Sequence, residues 1–331
     1  MKKLLALLLT LSLMLGSLAV LSSCGSGSTN GEIRIGYLTG PTGMGMAKLI
    51  HDEAEKENSN YVFVDYKNDT EKAKADLSAG NIDVICLPTN EAAAYYAKNN
   101  DAIVLALNCL NSLFLVSDKN SDVTSLSDLE GKTVYTCKNG TPKKIIDYLV
   151  AALELNITVS YTTPDGKIMA SPADVKNQMV NVGDLPYVVL PEPIITSAAL
   201  EIQKNGITDI AYSVDVDLAD EWSKVSSTPV AMGCIVASRK FVKSNERLVD
   251  EFLDRYEDSV EFVGDKENLN FAAKYVAEAG IMAAEPAAKK ALSNLGDAID
   301  YLDEEEMKAA LSAFFGALGI ATPNDDFYYF D

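Results

Sequence analysis

Short β-type apolar runs alternate with amphipathic stretches from residue 32 onward. Met46, Leu49, Ile50 and Ala54 repeat at the spacing of one helix face, which predicts a helix over 43–57. Strands are predicted at 33–38, 61–66, 82–87, 102–107, 133–137, 157–161, 187–190 and 230–238, with further apolar segments at 113–116 and 207–214. The other helices are predicted at 70–79, 91–98, 142–154, 173–180, 193–204, 218–225, 245–263, 269–279, 286–294 and 304–318. This alternation predicts an α/β protein whose sheets are mainly parallel.

Local signals mark several helix ends. Thr70 is a candidate N-cap and Gly80 a candidate C-cap of the helix between them. Ser125 and Asp128 have the spacing of a capping box. Thr141 followed by Pro142 predicts an N-cap with proline at the first helical position.

The N-terminus has the pattern of an export signal. Lys2 and Lys3 precede an apolar run over residues 4–20, and small residues lie just before Cys24. The alternative is an uncleaved membrane helix, but the run is shorter than the roughly 20 residues that a spanning helix needs. The Gly- and Ser-rich segment 25–30 is typical of a flexible tether, so folding is expected to begin near Gly31.

The length and net charge of the chain limit which classes of binding partner are expected. The chain has 331 residues, so the part after the signal is long enough for two domains. Its formal charge of −20 becomes −22 once Lys2 and Lys3 are removed. Nucleic acids and anionic lipid surfaces need a basic face, and this balance speaks against both.

The cysteines and the histidine favour neither a metal site nor catalysis. Cys86, Cys109, Cys137 and Cys234 lie in or beside apolar runs without Cys-x-x-Cys spacing, so buried free thiols are expected and no metal. A disulfide between Cys86 and Cys109 is the alternative. The single histidine, His51, falls on the polar face of the first helix, and the chain has no nucleophile elbow.

The segment Leu21-Ser22-Ser23-Cys24 resembles the lipobox of bacterial lipoproteins. The resemblance implies a signal peptide over 1–23, a diacylglycerol on Cys24 and acyl chains such as palmitate. Two chains on one residue suffice for stable anchoring. The folded part is therefore expected outside the cytoplasm, attached to the cell membrane.

Later segments resemble, in order along the chain, the substrate-binding lipoproteins of ABC importers of the nitrate/sulfonate/taurine and thiamine-precursor (NMT1-like) family. They are 38–49 (LTGPTGMGMAKL), 125–134 (SLSDLEGKTV), 190–193 (LPEP), 232–236 (MGCIV) and 326–329 (DFYY). The resemblance implies a two-lobed type II periplasmic-binding fold with two crossovers. One lobe would comprise 31–111 with 230–331, and the other 112–229. Residues 156–184 depart from the family pattern, so contacts there are not carried over.

Ligands of open α/β sheets bind outside the carboxyl ends of the strands. That rule selects the glycine-containing turn after the first strand, the ends of the third and fourth strands, and the matching loops of the second lobe. The ligand-binding candidates are Thr39, Thr42, Gly43, Met44, Thr89, Asn90, Asn108, Asn139, Thr141 and Glu192. The alternatives are a plain tight turn at 39–44, helix capping by Thr89 or Asn90, and a structural acid at Glu192 that links the second lobe to the hinge.

The favoured hypothesis is a monomeric solute receptor that needs no cofactor and works with an ABC permease and ATPase. The turn around Thr42 favours an anionic or accepting group and Glu192 a donating one, so the predicted ligand is an amino-sulfonate or amino-heterocycle. The alternatives are an enzyme or biosynthetic protein on the same fold, as in menaquinone or pyrimidine synthesis, and an orphan ligand sensor.

Overall fold

A computed structural model describes residues 31–207 and 210–330. The predicted signal peptide, Cys24 and the tether lie outside the described residues. No helix within 31–207 or 210–330 combines the length and apolar character needed to span a membrane.

The strands of the described ranges are numbered in chain order. They are β1 Ile33–Tyr37, β2 Tyr61–Asp65, β3 Val84–Pro88, β4 Ile103–Cys109, β5 Leu113–Asp118, β6 Thr133–Tyr135, β7 Thr158–Ser160, β8 Tyr187–Pro191, β9 Tyr212–Asp217 and β10 Gly233–Ala237.

The α-helices are numbered in the same way. They are α1 Pro41–Met44, α2 Ala47–Ala54, α3 Thr70–Ala79, α4 Thr89–Asn99, α5 Thr141–Ala152, α6 Pro172–Asn181, α7 Ile194–Lys204, α8 Leu218–Ser223, α9 Arg239–Ser244, α10 Glu246–Gly264, α11 Leu269–Glu278, α12 Glu285–Leu295 and α13 Glu304–Leu318.

The strands form two mixed sheets, and each sheet is the centre of one lobe. The first has the order β2-β1-β3-β10-β4 and the second β7-β6-β8-β5-β9. In each sheet one strand runs against its neighbours: β10 pairs antiparallel with β3 and β4, and β5 with β8 and β9. The remaining pairs are parallel, so the prediction of mainly parallel sheets fits β1, β2, β3, β6, β7 and β8 but not β5 or β10.

The chain passes twice between the lobes. It first crosses at 110–112, between β4 and β5, and returns between β9 and β10 through α8. The C-terminal helix α13 also contacts the second lobe by packing on α5, and Phe314 lies 5.9 Å from Trp222 between ring centroids. Both rings are buried, and burying one such side chain contributes about 1.5–3 kcal/mol to the free energy of folding.

Three local predictions are wrong in detail. The helix expected over 43–57 is divided into α1 and α2, because Gly45 ends α1 and packs against Val260 of α10. Asp69 rather than Thr70 caps α3, since its carboxylate accepts a hydrogen bond from the Lys72 amide at 2.9 Å. Gly140 is the N-cap of α5, and Thr141 is already its first residue.

Other local predictions are confirmed. Gly80 ends α3 with a left-handed backbone, φ 70°. Ser125 and Asp128 form the predicted capping box on a short 3-10 helix, Leu126–Leu129. Cys86, Cys109, Cys137 and Cys234 are buried free thiols, so the alternative Cys86–Cys109 disulfide is not formed.

Candidate functional site

The carboxyl ends of several strands meet at one edge of each sheet, and these two edges are joined by the crossovers. In the first sheet they are the ends of β1, β3 and β4, which run in the same direction. In the second sheet β6, β8 and β9 end at the edge where β5 begins, since Leu113 pairs with Pro191. A Cβ atom added to Gly40, after β1, would lie 3.4 Å from Cδ of Pro193, after β8. The two edges therefore face each other across the interlobe cleft.

The turn between β1 and α1 forms the first-lobe side of the cleft. A Cβ atom on Gly43 would lie 1.9 Å from the Leu38 carbonyl oxygen, so only glycine fits at this position. The Gly43 amide donates to the Gly40 carbonyl oxygen at 3.0 Å, and Met44 is fully buried. The glycine thus closes the turn on itself, and the Gly43 amide is bonded within that turn, whereas the contact predicted for Met44 is through its backbone amide and stays a prediction.

Two of the candidate hydroxyl groups are bonded within the first lobe. Thr39 Oγ1 donates to Asn68 Oδ1 at 2.5 Å. Thr89 is 1% exposed, and its Oγ1 donates to the Ala231 carbonyl oxygen at 2.6 Å, which ties the start of α4 to the returning crossover. Both groups hold loops in place, and Pro88 rather than Thr89 or Asn90 occupies the N-cap of α4.

Asn108, at the end of β4, is bonded to the protein through its amide nitrogen, whereas its Oδ1 is buried without a hydrogen-bond partner among the described residues. Its Nδ2 donates to the Thr42 carbonyl oxygen at 2.9 Å and to the Tyr256 hydroxyl at 2.7 Å. The Tyr256 hydroxyl also lies 3.8 Å from Cys86 Sγ. Burial raises the pKa of Tyr256 well above its usual value and that of Cys86 to about 12, so both groups are neutral. Sequence reasoning missed Tyr256, which in the sequence is one apolar position of a long amphipathic helix.

Glu192, at the end of β8, joins the two lobes. Its carboxylate accepts hydrogen bonds from the Thr196 amide at 3.2 Å, from Thr196 Oγ1 at 3.0 Å and from Asn294 Nδ2 at 2.5 Å. Thr196 lies in α7 of the second lobe and Asn294 in α12, which packs on α11 of the first. Glu192 is 2% exposed, and burial raises its pKa despite these donors. Nothing in the sequence singles out Asn294.

Four candidates with solvent-accessible side chains keep unused polar groups. Within the described residues, the side chains of Thr42, Asn90, Asn139 and Thr141 make no hydrogen bond to the protein. Asn139 is exposed and the other three are partly exposed. Thr42 and Asn90 follow strands of the first lobe, whereas Asn139 and Thr141 follow β6 of the second. Uncharged donors and acceptors are thus available on both sides of the cleft.

Neither metal ligands nor the histidine belong to this site. Among the described residues, no group of three or more His, Cys, Asp or Glu side chains could hold a metal ion. The His51 ring stacks on Tyr275 with ring centroids 3.8 Å apart, so it packs between α2 and α11. Trp222 is buried as well, and its Nε1 donates to the Thr228 carbonyl oxygen at 2.7 Å.

No protein-family model matches this sequence, and no curated protein matches it. Solved structures do share its fold. An ABC transporter protein from Parabacteroides distasonis is 18% identical, with a TM-score of 0.69 over 91% of this chain and 99% of its own. The periplasmic aliphatic sulphonate-binding protein SsuA of Escherichia coli is 16% identical, with a TM-score of 0.62 over 88% of this chain and 89% of its own. The periplasmic nitrate-binding protein NrtA of Synechocystis PCC 6803 is 12% identical, with a TM-score of 0.56 over 86% and 80%. The chain therefore has the two-lobed α/β fold of type II periplasmic binding proteins.

Proposed function

We propose that this protein is the extracytoplasmic solute-binding component of an ABC importer and binds a small organic molecule between its lobes. The observation that carries this proposal is the set of unused polar groups on Thr42, Asn90, Asn139 and Thr141 at facing sheet edges. A ligand bound there contacts both lobes only when they are close together, so binding favours the closed arrangement. A permease and its ATPase would then recognise the closed form.

The division of the chain into lobes is part of this proposal. Residues 31–111 with 230–331 would form the first lobe, and 112–229 the second. Sheet membership supports these boundaries, since β1–β4 and β10 lie in one sheet and β5–β9 in the other. Attachment of the chain to the membrane through a lipid on Cys24, as a monomer, belongs to the same proposal and is supported by the lipobox-like segment.

The polar groups favour a ligand with both accepting and donating atoms. Lys138 lies beside Asn139, makes no ion pair among the described residues, and places its ammonium 5.8 Å from the Tyr161 ring centre. It can attract an anionic group, while the amide oxygens of Asn90 and Asn139 can accept from an amine or a ring N–H. We propose an amino-sulfonate or an amino-heterocycle as the ligand class, and the solved sulphonate-binding relative supports the first.

Glu192 has a different role in this proposal. Its carboxylate already accepts three hydrogen bonds from Thr196 and Asn294, so it positions the lobes rather than contacting the ligand. The proposed ligand-contacting side chains are therefore the four solvent-accessible ones with unused groups.

A hydroxyl deletion tests the cleft as the binding site. A thermal-shift panel of taurine, alkanesulfonates and aminopyrimidines supplies the probe, and calorimetry then compares Thr42→Val with the wild type. Losing one neutral hydrogen bond should cost about 1 kcal/mol, or roughly fivefold in Kd. Thr39→Val is the matched control, because its hydroxyl already donates to Asn68 and its loss should leave the Kd unchanged. Equal affinities for Thr42→Val and the wild type would remove Thr42 from the site.

A further inference from the structure

A cavity of about 670 Å³ lies between the second lobe and α12, and one of its ends reaches Asn294 beside the facing sheet edges. It runs between α7 and β9, which is an edge strand of the second sheet. Its walls include Val116, Met179, Ile195 and Ile202, and each of these side chains is at most 9% exposed. A cavity of this volume with apolar walls is within the range of small-molecule sites.

The charged side chains that line this cavity within the described residues are both basic, although burial and the nearby carboxylates of Asp184 and Asp118 raise the pKa of the lining Tyr212. Lys119 and Lys290 are the charged side chains among its described lining residues, and no acid lies among them. Neither lysine forms a salt bridge within the described residues, and both are exposed. In a chain with 48 acidic and 28 basic residues, an apolar cavity whose described lining holds two lysines and no acid favours an anionic occupant.

The two lysines mark opposite ends of the cavity. Lys119 follows the carboxyl end of β5, where its amide donates to the Ala211 carbonyl oxygen at 3.0 Å. Lys290 lies in α12, one helical turn before Asn294, which contacts Glu192 at the other end of the second sheet. An extended apolar chain can therefore lie along α7 with an acid group at one of the lysines.

We propose that this α7 cavity is a second binding site, separate from the cleft, for an elongated alkyl chain that ends in an acid group. The proposal does not rest on the importer function. It predicts that affinity depends on chain length and on the sign of the head group.

Calorimetry with octanoate, decanoate and dodecanoate below their micelle concentrations tests this site. Affinity should rise about fourfold for each added methylene, the equivalent of ~0.8 kcal/mol. Dodecyltrimethylammonium should bind at least tenfold more weakly than dodecanoate. The double variant Lys119→Ala/Lys290→Ala should lose at least tenfold in dodecanoate affinity. Equal binding of the two head groups, or an unchanged double variant, would overturn the proposal.

Variants that fill the cavity test whether dodecanoate binds in it or at another surface. Ala199→Trp and Gln203→Trp both add a large ring to lining positions on α7, and either should abolish dodecanoate binding. Leu200→Trp is the matched control, because Leu200 is on the same helix, 36% exposed and outside the lining. Dodecanoate binding that survives both filling variants, with their thermal unfolding unchanged, would place it elsewhere. A cleft ligand from the thermal-shift panel should bind all three variants normally, so the two proposals can fail separately.

Discussion

Asn108 and Glu192 are buried polar residues beside the cleft, and the hydrogen bonds that they make are all within the protein. The Asn108 amide hydrogens go to Thr42 and Tyr256, and the Glu192 oxygens accept from Thr196 and Asn294. A buried polar group without a partner is costly, and Asn108 Oδ1 is such a group, because it has no hydrogen-bond partner among the described residues. The accessible groups that remain for a ligand are those on the exposed or partly exposed side chains of Thr42, Asn90, Asn139 and Thr141.

Removing the Asn108 side chain should destabilise the protein. Asn108→Ala leaves the Thr42 carbonyl and the Tyr256 hydroxyl without this donor in a fully buried site. At about 1–3 kcal/mol for each of these two groups, we expect a loss of about 2–6 kcal/mol in the free energy of unfolding. Urea denaturation measures it. The exposed Asn177→Ala on α6 should change stability by less than about 0.5 kcal/mol, and equal effects would refute the role given to Asn108.

Asp217, at the N-cap of α8 in the second crossover, should make stability depend on pH. Its Oδ1 accepts from the Ala219 amide and from Asn111 Nδ2 at 2.7 and 2.6 Å. Burial, followed by the charge of Asp220, raises its pKa from 3.8 to about 6. Because the folded-state pKa lies above the unfolded value, the stabilisation from protonation is complete below about pH 3.8 and is lost as pH rises through about 6.

Asp217→Asn removes this titration while keeping an N-cap acceptor. Relative to the wild type, the variant should gain about 1–2 kcal/mol in unfolding free energy at pH 8 after allowance for solvent screening. The gain should shrink toward zero at pH 4. Urea denaturation at both pH values measures this difference. The control is Asp69→Asn at the exposed N-cap of α3, which should change the free energy of unfolding at pH 8 by only a few tenths of a kcal/mol. A gain equal at both pH values would contradict the raised pKa.

At the scale of elements, helix ends are set by single residues with special backbone or side-chain groups. Asp69 begins α3 with a carboxylate cap, and Gly80 ends it with a left-handed backbone. Gly45 ends α1 where the chain meets α10, and α2 begins two residues later. These ends determine where the turns at the sheet edges lie, and therefore where the candidate ligand groups are presented.

Two glycine substitutions should change stability in opposite directions. Gly80 has φ 70° and Gly316 has helical backbone within α13, and an added Cβ would meet no atom within 4 Å at either position. Gly80→Ala should therefore cost about 1 kcal/mol through backbone strain. Gly316→Ala should add about 0.5–1 kcal/mol, since alanine loses less entropy in a helix. Thermal unfolding of the pair decides this, and a shift of the same sign in both would refute it.

The spacing of apolar residues predicts helices and strands well, because it reflects which side chains are buried. It predicts strand direction and side-chain partners less well, because these depend on tertiary contacts. The amphipathic pattern of α13 and the apolar run of β10 are visible in the sequence and present in the structure. The antiparallel direction of β5 and β10 is not visible in the sequence, because it depends on where the crossovers enter the sheets. Likewise, the sequence places Glu192 at a strand end but contains no sign of Asn294, which comes from a helix 102 residues away.

At the scale of the whole molecule, the two lobes are joined by more than the crossovers. The Glu192–Asn294 hydrogen bond links α12 to the end of β8, and α13 packs across onto α5. These contacts lie beside the facing sheet edges, so they limit how far the lobes can separate. Under the proposed function, a ligand therefore completes contacts between lobe surfaces that are already close.

The most direct test of this account is hydrogen exchange measured by mass spectrometry with a ligand from the thermal-shift panel. If the molecule binds between the lobes, amides of residues 39–46 in the first lobe and of 138–146 in the second should gain protection together. Protection in both segments, weakened in parallel by Thr42→Val, is the predicted result. If saturating ligand slows amide exchange in only one of the two segments, or only in α7 and β9, the result would contradict binding in the interlobe cleft.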